Sequence, residues 1–437
     1  MRHARRTLWC VGAAATMLLL PLGANAASRD HDPGKHDPGT RFFVPAPAAG
    51  AAQQIASELR QGHFRNAAEL RALIAQGHAV WFTKGTPSEV KKAVKETMEE
   101  AEHQDRVPVL VAYDIPFRDC GQFSAGGALS TTDYLAWIDG FAKGIGNKQA
   151  LVMLEPDGLG IIPYNVALDG THESCQPDLT GTGLTPATAN SERFVQMNAA
   201  VNRLEQQRNV SVYLDGTHSA WLNVGDASSR LVKAGVKNAQ GFFLNVSNYQ
   251  FTGNGVQYGT WISKCIAGGD YANCPNQYWN GGPAGTMIAS LLGAFTGVAL
   301  SPYGVWSDTA TDPALNTSGI NARYGSTVGT THFVIDTSRN GLGPWQFPTG
   351  VFSDPQDWCN PPGRGVGPRP TVATGNPLVD AYLWVKVPGE SDGQCTRGLG
   401  PTGTVDPEWG IVDPAAGDWF PQQALQLAQL ANPALLP

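Results

Sequence analysis

The stretch from Val80 to Tyr113 reads VWFTKGTPSEVKKAVKETMEEAEHQDRVPVLVAY, and the fold class turns on its changing period. Val80–Phe82 and Val107–Tyr113 are short runs rich in β-branched, aromatic and aliphatic residues, the composition of strands. Between them, Thr86-Pro87-Ser88-Glu89 supplies a helix cap, a first-turn proline and the glutamate of a capping box. Val90, Ala93, Val94 and Met98 then mark one apolar face at helical spacing. Strand, helix, strand over so short a distance predicts a βαβ unit and therefore parallel strands.

The same alternation continues outward. Further strands are expected at Leu151–Leu154, Val210–Leu214, Gly241–Val246, His332–Ile335 and Tyr382–Val385. Tyr134, Trp137, Ile138, Phe141 and Ile145 mark the next helix. The pattern predicts a parallel α/β sheet, open or closed into a barrel. No Ser/Thr/Pro-rich linker and no internal repeat divides it, so residues 42–437 are expected to form one domain of catalytic size. The 437 residues include 51 Gly and 31 Pro, and only 15% are charged while 42% are hydrophobic. That balance excludes a disordered chain and predicts ordered, tightly turned loops.

The N-terminus reads as an export signal over residues 1–26. Arg2, Arg5 and Arg6 precede an apolar run from Leu8 to Leu22, and Ala24-Asn25-Ala26 is a small-x-small cleavage site. Residues 27–41, with His31-Asp32-Pro33-Gly34 repeated as His36-Asp37-Pro38-Gly39, read as a flexible leader. No later segment is apolar for long enough to span a membrane. Losing three Arg makes a chain of net charge −7 still more acidic, which disfavours nucleic acid and anionic membranes as partners. Beyond Cys10 lie Cys120, Cys175, Cys265, Cys274, Cys359 and Cys395, an even set that reads as disulfides in an exported protein, secreted or periplasmic. Cys265 and Cys274 are close enough to close a local loop. Neither Cys-x-x-Cys nor His-Glu-x-x-His occurs, so no metal site is expected.

Asp119, Asp157, Asp215 and Asp392 each fall at, or a few residues beyond, the C-terminal end of an expected strand. In a βα barrel those ends share the face that carries the active site. Any one of these acids could simply cap a helix; four together predict a carboxylate-lined cleft. Acids set among Trp, Asn and Tyr point to glycan chemistry, because a glycosidic bond needs a proton donor and a second carboxylate.

The motifs around these acids resemble those of glycoside hydrolase family 6, the inverting cellulases, from about Trp81 to the C-terminus. They are Tyr113-Asp114-Ile115-Pro116-Phe117-Arg118-Asp119-Cys120, Leu154-Glu155-Pro156-Asp157, and Tyr213-Leu214-Asp215-Gly216-Thr217-His218-Ser219-Ala220-Trp221. Ile335-Asp336-Thr337-Ser338-Arg339-Asn340-Gly341 and Trp384-Val385-Lys386-Val387-Pro388-Gly389-Glu390-Ser391-Asp392-Gly393 follow. The resemblance implies a distorted, TIM-like β/α barrel of seven parallel strands with long surface loops, acting without cofactor on β-1,4-glucan; a monomer is expected, though the sequence does not supply the oligomeric state. The resemblance also implies Asp157 as proton donor, Asp119 as modulator of its pKa and proton relay, Asp215 as supporting acid beside the cleavage point and Asp392 as candidate base. Lys386 and Glu390 match residues that bind the sugar upstream of the scissile bond, and Tyr113 one that helps to distort it. Trp81, Trp221 and Trp358 match stacking platforms, with His218 and Asn248 as polar neighbours. Family pairing implies Cys120–Cys175 and Cys359–Cys395, leaving Cys265–Cys274.

Asp336 and Arg339, without a catalytic match, are expected to form a structural ion pair. Two departures from the family pattern stand out. A serine that family members place as a water contact falls on Ala125, beside Ser124, and a long insert covers Asn165–Asn190. The Arg-Asp-Cys loop looks short, which favours an endoglucanase. Asp392–Trp419 is long enough to roof a tunnel, which favours a cellobiohydrolase. The expectation leans to the endoglucanase; a non-catalytic glycan binder is the rival from another class.

Overall fold

A computed structural model describes residues 39–278 and 298–437 of the chain. The expected signal segment, nearly all of the leader and Trp279-Asn280-Gly281, a tryptophan in a turn-rich stretch of the sequence, lie outside the described residues.

Seven strands form one sheet in sequential order, all neighbours parallel. They are β1 (Val80–Phe82), β2 (Val109–Ala112), β3 (Ala150–Leu154), β4 (Val210–Asp215), β5 (Gly241–Leu244), β6 (His332–Asp336) and β7 (Val379–Leu383). The sheet curls into a barrel with an incomplete seam. At that seam the Ala79 N–H donates to the Trp384 carbonyl (2.9 Å) and the Trp81 indole to the Val385 carbonyl (2.8 Å). Both faces of the sheet are buried, which is why the strands read as continuous apolar runs. Leu110, Val152, Val212 and Leu214 meet the helices, while Val111, Met153, Tyr213 and Val334 fill the barrel interior.

The strand ends differ from expectation for local reasons. Val107 makes only an isolated bridge to Phe42, and Pro108 has no N–H for a ladder, so β2 starts at Val109. Asn245 has φ 68, which turns the chain out of the sheet after Leu244. The last strand begins at Val379 rather than Tyr382 because the polar Asp380 inside it is satisfied. It accepts from the Tyr213 hydroxyl (2.8 Å) and pairs with His332 (2.7 Å).

The crossover helices pack outside the barrel. α3 (Pro87–His103) follows two N-terminal helices, α1 (Ala49–Arg60) and α2 (Phe64–Ile74), and carries the capping box on Thr86 and Glu89. Its buried stripe is Val90, Val94, Met98 and Ala101, each large side chain worth about 1.5–3 kcal/mol on burial. Ala93, expected on this stripe, is exposed; the i, i+4 row through Val90, Val94 and Met98 passes it on one side. α4 (Thr131–Ile145) lies against α3 so closely that a Cβ on Gly140 would come within 2.2 Å of the Pro87 carbonyl oxygen. α5 (Pro186–Leu204), α6 (Val224–Lys233) and α7 (Thr252–Gly268) continue the layer. The expected insert therefore ends in the first turn of α5.

Three disulfides are formed: Cys120–Cys175, Cys265–Cys274 and Cys359–Cys395. Among the described residues no helix is long and apolar enough to cross a membrane.

Candidate active site

The C-terminal strand ends open onto a cavity of about 920 Å³. β1 delivers Trp81, and the exit of β2 delivers Tyr113 and, six residues on, Asp119. β3 leads to Asp157, β4 to His218 and Trp221, β5 to Asn248, and β7 to Lys386, Glu390 and Asp392; Trp358 and Ser124 are also part of the wall. Of the expected site residues only Asp215 is absent from this lining. It sits behind the wall at the end of β4, 3% exposed.

The backbone at these exits is unusual. Phe117, Asp119, Glu155, Asp157, Thr217, Asn245 and Ser247 all have φ between 55 and 68. Non-glycine residues adopt this left-handed region at a cost, and such residues concentrate where a side chain must be aimed. Buried polar groups hold the geometry. The Glu155 carboxylate accepts from the Asp114 and Ile115 N–H groups at 3.1 Å, tying the β3 exit to the β2 exit. Arg193 of α5 donates to the carbonyls of Pro116 (2.8 Å), Gly158 (2.6 Å) and Ile161 (3.0 Å), clamping the loops that carry Asp119 and Asp157.

The acids differ sharply in protonation. Burial, with the charges of Asp215, Asp119 and Asp392 around it, drives Asp157 well above the ordinary carboxylate range. Burial pushes Asp215 up to about 6, although its carboxylate accepts from the Thr217 (2.8 Å), Gly160 (3.2 Å) and Leu159 (3.4 Å) N–H groups. Asp119 is raised by burial as well, while the Ser124 N–H (2.8 Å) and the Arg118 charge pull it back.

Asp392 goes the other way. Burial would raise it, but Arg339 and Lys386 outweigh that and hold it below the usual range. Its Oδ2 accepts from Arg339 (2.8 Å), the Tyr249 hydroxyl (3.1 Å) and the Asn360 N–H (3.0 Å), and the Lys386 ammonium lies 3.5 Å from Oδ1. Arg339 therefore belongs to Asp392 and not to Asp336 as expected. Asp336 instead accepts backbone N–H groups from Ser338, Val385, Lys386 and Ser247. A carboxylate satisfied by four N–H groups at a strand end has no need of the guanidinium.

The remaining wall suits a sugar chain. The Trp221 ring lies on Gly160 so closely that a Cβ there would come within 2.4 Å of it, and His218 is 5.7 Å away, centroid to centroid. Burial lowers His218 to about 3, so the ring is neutral. Its Nδ1 accepts from the Ala220 N–H (3.3 Å), leaving Nε2 to carry the proton. Trp81 meets Tyr113 edge-on at 5.5 Å, and Trp358, 37% exposed, lies 6.0 Å from Phe123. Burial raises Glu390, against the lowering charge of Lys386. The Ser124 N–H serves Asp119, and both Ser124 and Ala125 line the cavity. Tyr249, Arg193 and Asn360 escaped the sequence reading; each acts on a partner far along the chain, and none stands in a motif that announces it.

Two carboxyls whose pKa values are pushed in opposite directions, facing a cavity walled by indole rings, meet the demands of glycosidic bond hydrolysis. Fold and site together define a glycoside hydrolase. The model of the family "Glycosyl hydrolases family 6" matches residues 37–431, and the chain belongs to that family. Endoglucanase A of Thermobispora bispora is 30% identical over 394 residues, covering 90% of this chain and 66% of that protein. A probable 1,4-beta-D-glucan cellobiohydrolase C of Aspergillus terreus is 31% identical over 349 residues, covering 74% of this chain and 59% of that one. The chain thus spans about two thirds or less of the length of these two relatives. The structure of the Mycobacterium tuberculosis endoglucanase Cel6, in complex with a thio-linked methyl cellobiosyl-cellobioside, is similar with a TM-score of 0.59 and 30% identity. It covers 90% of this chain and 97% of that one.

Proposed function

We propose that the chain hydrolyses β-1,4-glucans with inversion at the anomeric carbon, and that it cuts within chains. The observation that carries this is the divergence of Asp157 and Asp392. Asp157, whose hold on its proton is raised by burial and by the acids around it, gives that proton to the departing glycosidic oxygen. Asp392, ionised between Arg339 and Lys386, takes a proton from the water that attacks the opposite face. Asp119 and Asp215 surround the donor with negative charge and so keep it protonated; Asp119, at the cavity wall, also passes protons to and from water. Trp81, Trp221 and Trp358 stack sugar rings, His218 and Asn248 bond their hydroxyls, Lys386 and Glu390 hold the upstream sugar and Tyr113 distorts it. The cello-oligosaccharide analogue held by the similar endoglucanase supports the substrate class. Residues 42–437 constitute the catalytic domain. Export is supported by three disulfides, which persist in oxidising compartments.

The endo reading rests on the long stretch after Asp392. Of Asp392–Trp419, only Asp392, Ala416 and Gly417 line the cavity; residues 393–415 do not. They fold on themselves around Arg397, fully buried, which pairs with Asp406 (2.7 Å) and donates to the Cys359 carbonyl (2.7 Å). A long roof is therefore not built from them. The second reading, a cellobiohydrolase, draws on one contact. The Phe123 ring lies so close to Gly393 that a Cβ there would come within 2.4 Å of it, a bridge between the Asp119 loop and the Asp392 turn. Viscosity and reducing ends measured together on a soluble substituted cellulose separate the two. Rapid loss of viscosity with few new ends is expected; new ends with viscosity intact means release of cellobiose from ends. No change in either would leave a glycan binder.

A further inference from the structure

We propose that Asn360 is a positioning residue that sets the orientation of the Asp392 carboxylate. The inference rests on the reading of Asp392 as base. Asn360 is fully buried and grips Asp392 from two sides. Its backbone N–H donates to Oδ2 of Asp392 (3.0 Å), and its side-chain Oδ1 accepts from the Asp392 N–H (2.8 Å). Both ends of the acid, main chain and carboxylate, are thus referred to one residue that lies 32 positions earlier.

The amide itself cannot turn over. Its Nδ2 faces three acceptors, the Gly393 carbonyl, the Ser391 hydroxyl and an oxygen of Asp413, each at 2.9 Å. A backbone N–H must donate and a carbonyl must accept, so exchanging Oδ1 and Nδ2 would set donor against donor at Asp392 and acceptor against acceptor at Gly393. Gln423 adds a second donor to Oδ1 at 3.2 Å. The Cys359–Cys395 bond staples the segment beside Asn360 to the segment just after Asp392. Asn360 has φ 42, a left-handed conformation that Asn tolerates better than most residues. That conformation lets one residue present its N–H and its side chain to the same acid.

Arg339, Lys386 and Tyr249 supply the charge and the remaining hydrogen bonds of Asp392, but each reaches it through a long side chain. Asn360 reaches the carboxylate through its own backbone N–H and the Asp392 N–H through a short side chain that is fixed at every polar atom. A catalytic group displaced by about 1 Å can lose about 100-fold in rate, and Asn360 removes that freedom.

The test is a double-mutant cycle of Asn360→Ala with Asp392→Asn, followed on a cello-oligosaccharide and on a cellobioside carrying an acidic phenol. Asn360→Ala should lower kcat by about 100-fold with KM changed less than about threefold. The loss should be equal on both substrates, because water activation is common to them. In the Asp392→Asn background Asn360→Ala should cost nothing further, since a residue acting through another has no effect once that partner is gone. Near-UV circular dichroism establishes that the variants are folded. If the alanine variant fails there, Asn360→Ser, too short to span the Asp392 N–H and the Gly393 carbonyl, carries the same expectation. A folded variant with wild-type kcat, or a loss that adds in full to that of Asp392→Asn, overturns the inference and leaves the base reading intact. Wild-type rate in Asp392→Asn alone would remove the base reading, and with it the acid that Asn360 is argued to place.

Discussion

Arg339, wholly buried after β6, donates from Nη1 to Oδ2 of Asp392 at 2.8 Å, although 53 residues separate the two in sequence. The pair explains how a carboxylate can stay ionised where burial raises Asp119 and Asp157 in the wall and Asp215 behind it. Burial penalises charge on all four acids. Only Asp392 has both a guanidinium and an ammonium against it.

Replacing Arg339 by Gln should therefore shift the pH dependence of kcat. With the guanidinium gone, burial weighs against a carboxylate helped only by Lys386, Tyr249 and the Asn360 N–H, with Asp157 also nearby. Its pKa must rise. A base works only when ionised, so the acidic limb of the profile should move to higher pH, by about one unit or more. Stability should fall by less than the roughly 3–5 kcal/mol that orphaning a buried charge costs, because the Lys386 ammonium stays 3.5 Å from the carboxylate. An acidic limb that stays in place would show that another group sets it.

The disulfides invite a simpler measurement. Cys120–Cys175 and Cys359–Cys395 close loops of sequence separation 55 and 36, whereas Cys265–Cys274 closes one of only 9. Each of the two long cross-links should contribute roughly 2–4 kcal/mol by restricting the unfolded chain. Reductant should lower the melting temperature clearly, and removing Cys265–Cys274 alone should lower it less. Mass mapping that found all six cysteines free would refute the pairing.

Two glycine substitutions should separate close packing from open helix. Gly140→Ala puts a methyl group 2.2 Å from the Pro87 carbonyl oxygen; the α3–α4 contact must open, at about 1–3 kcal/mol. Gly268→Ala meets no atom within 4 Å and should be neutral or stabilising by up to about 1 kcal/mol. Denaturant midpoints of the two variants check both signs at once.

The barrel was legible because its strands are buried on both faces and therefore spell unbroken apolar runs. The start of β7 was not, because Asp380 looks like an interruption until Tyr213 and His332 are seen to satisfy it. Ala93 illustrates a related loss: small apolar residues occur on exposed helix faces, and periodicity alone does not say which side of the stripe they fall. The four acids could be read from their places at strand ends. That Asp215 stands behind the wall while the others line it could not, because the sequence carries no depth. Nor could Arg339 be assigned correctly. Asp336, three residues away, is the nearer partner along the chain, but backbone N–H groups already occupy it.

The last prediction separates the roles of the two carboxyls. Asp157→Asn removes the proton that a poor alkoxide leaving group requires, so activity on glucans should fall by a factor of about 100 to 10,000. On a cellobioside with an acidic phenol the same variant should keep far more of its activity, because that departure needs little protonation. Asp392→Asn should damage both substrates alike. With the wild-type protein, early-time proton NMR should show the α-anomer first, since one carboxyl protonates the leaving oxygen while the other directs water to the opposite face. A β-anomer as first product would sink the inverting mechanism outright. Inversion together with an undamaged Asp392→Asn variant would keep the mechanism and shift the base to Asp119. That acid lines the same cavity, and burial raises its affinity for a proton.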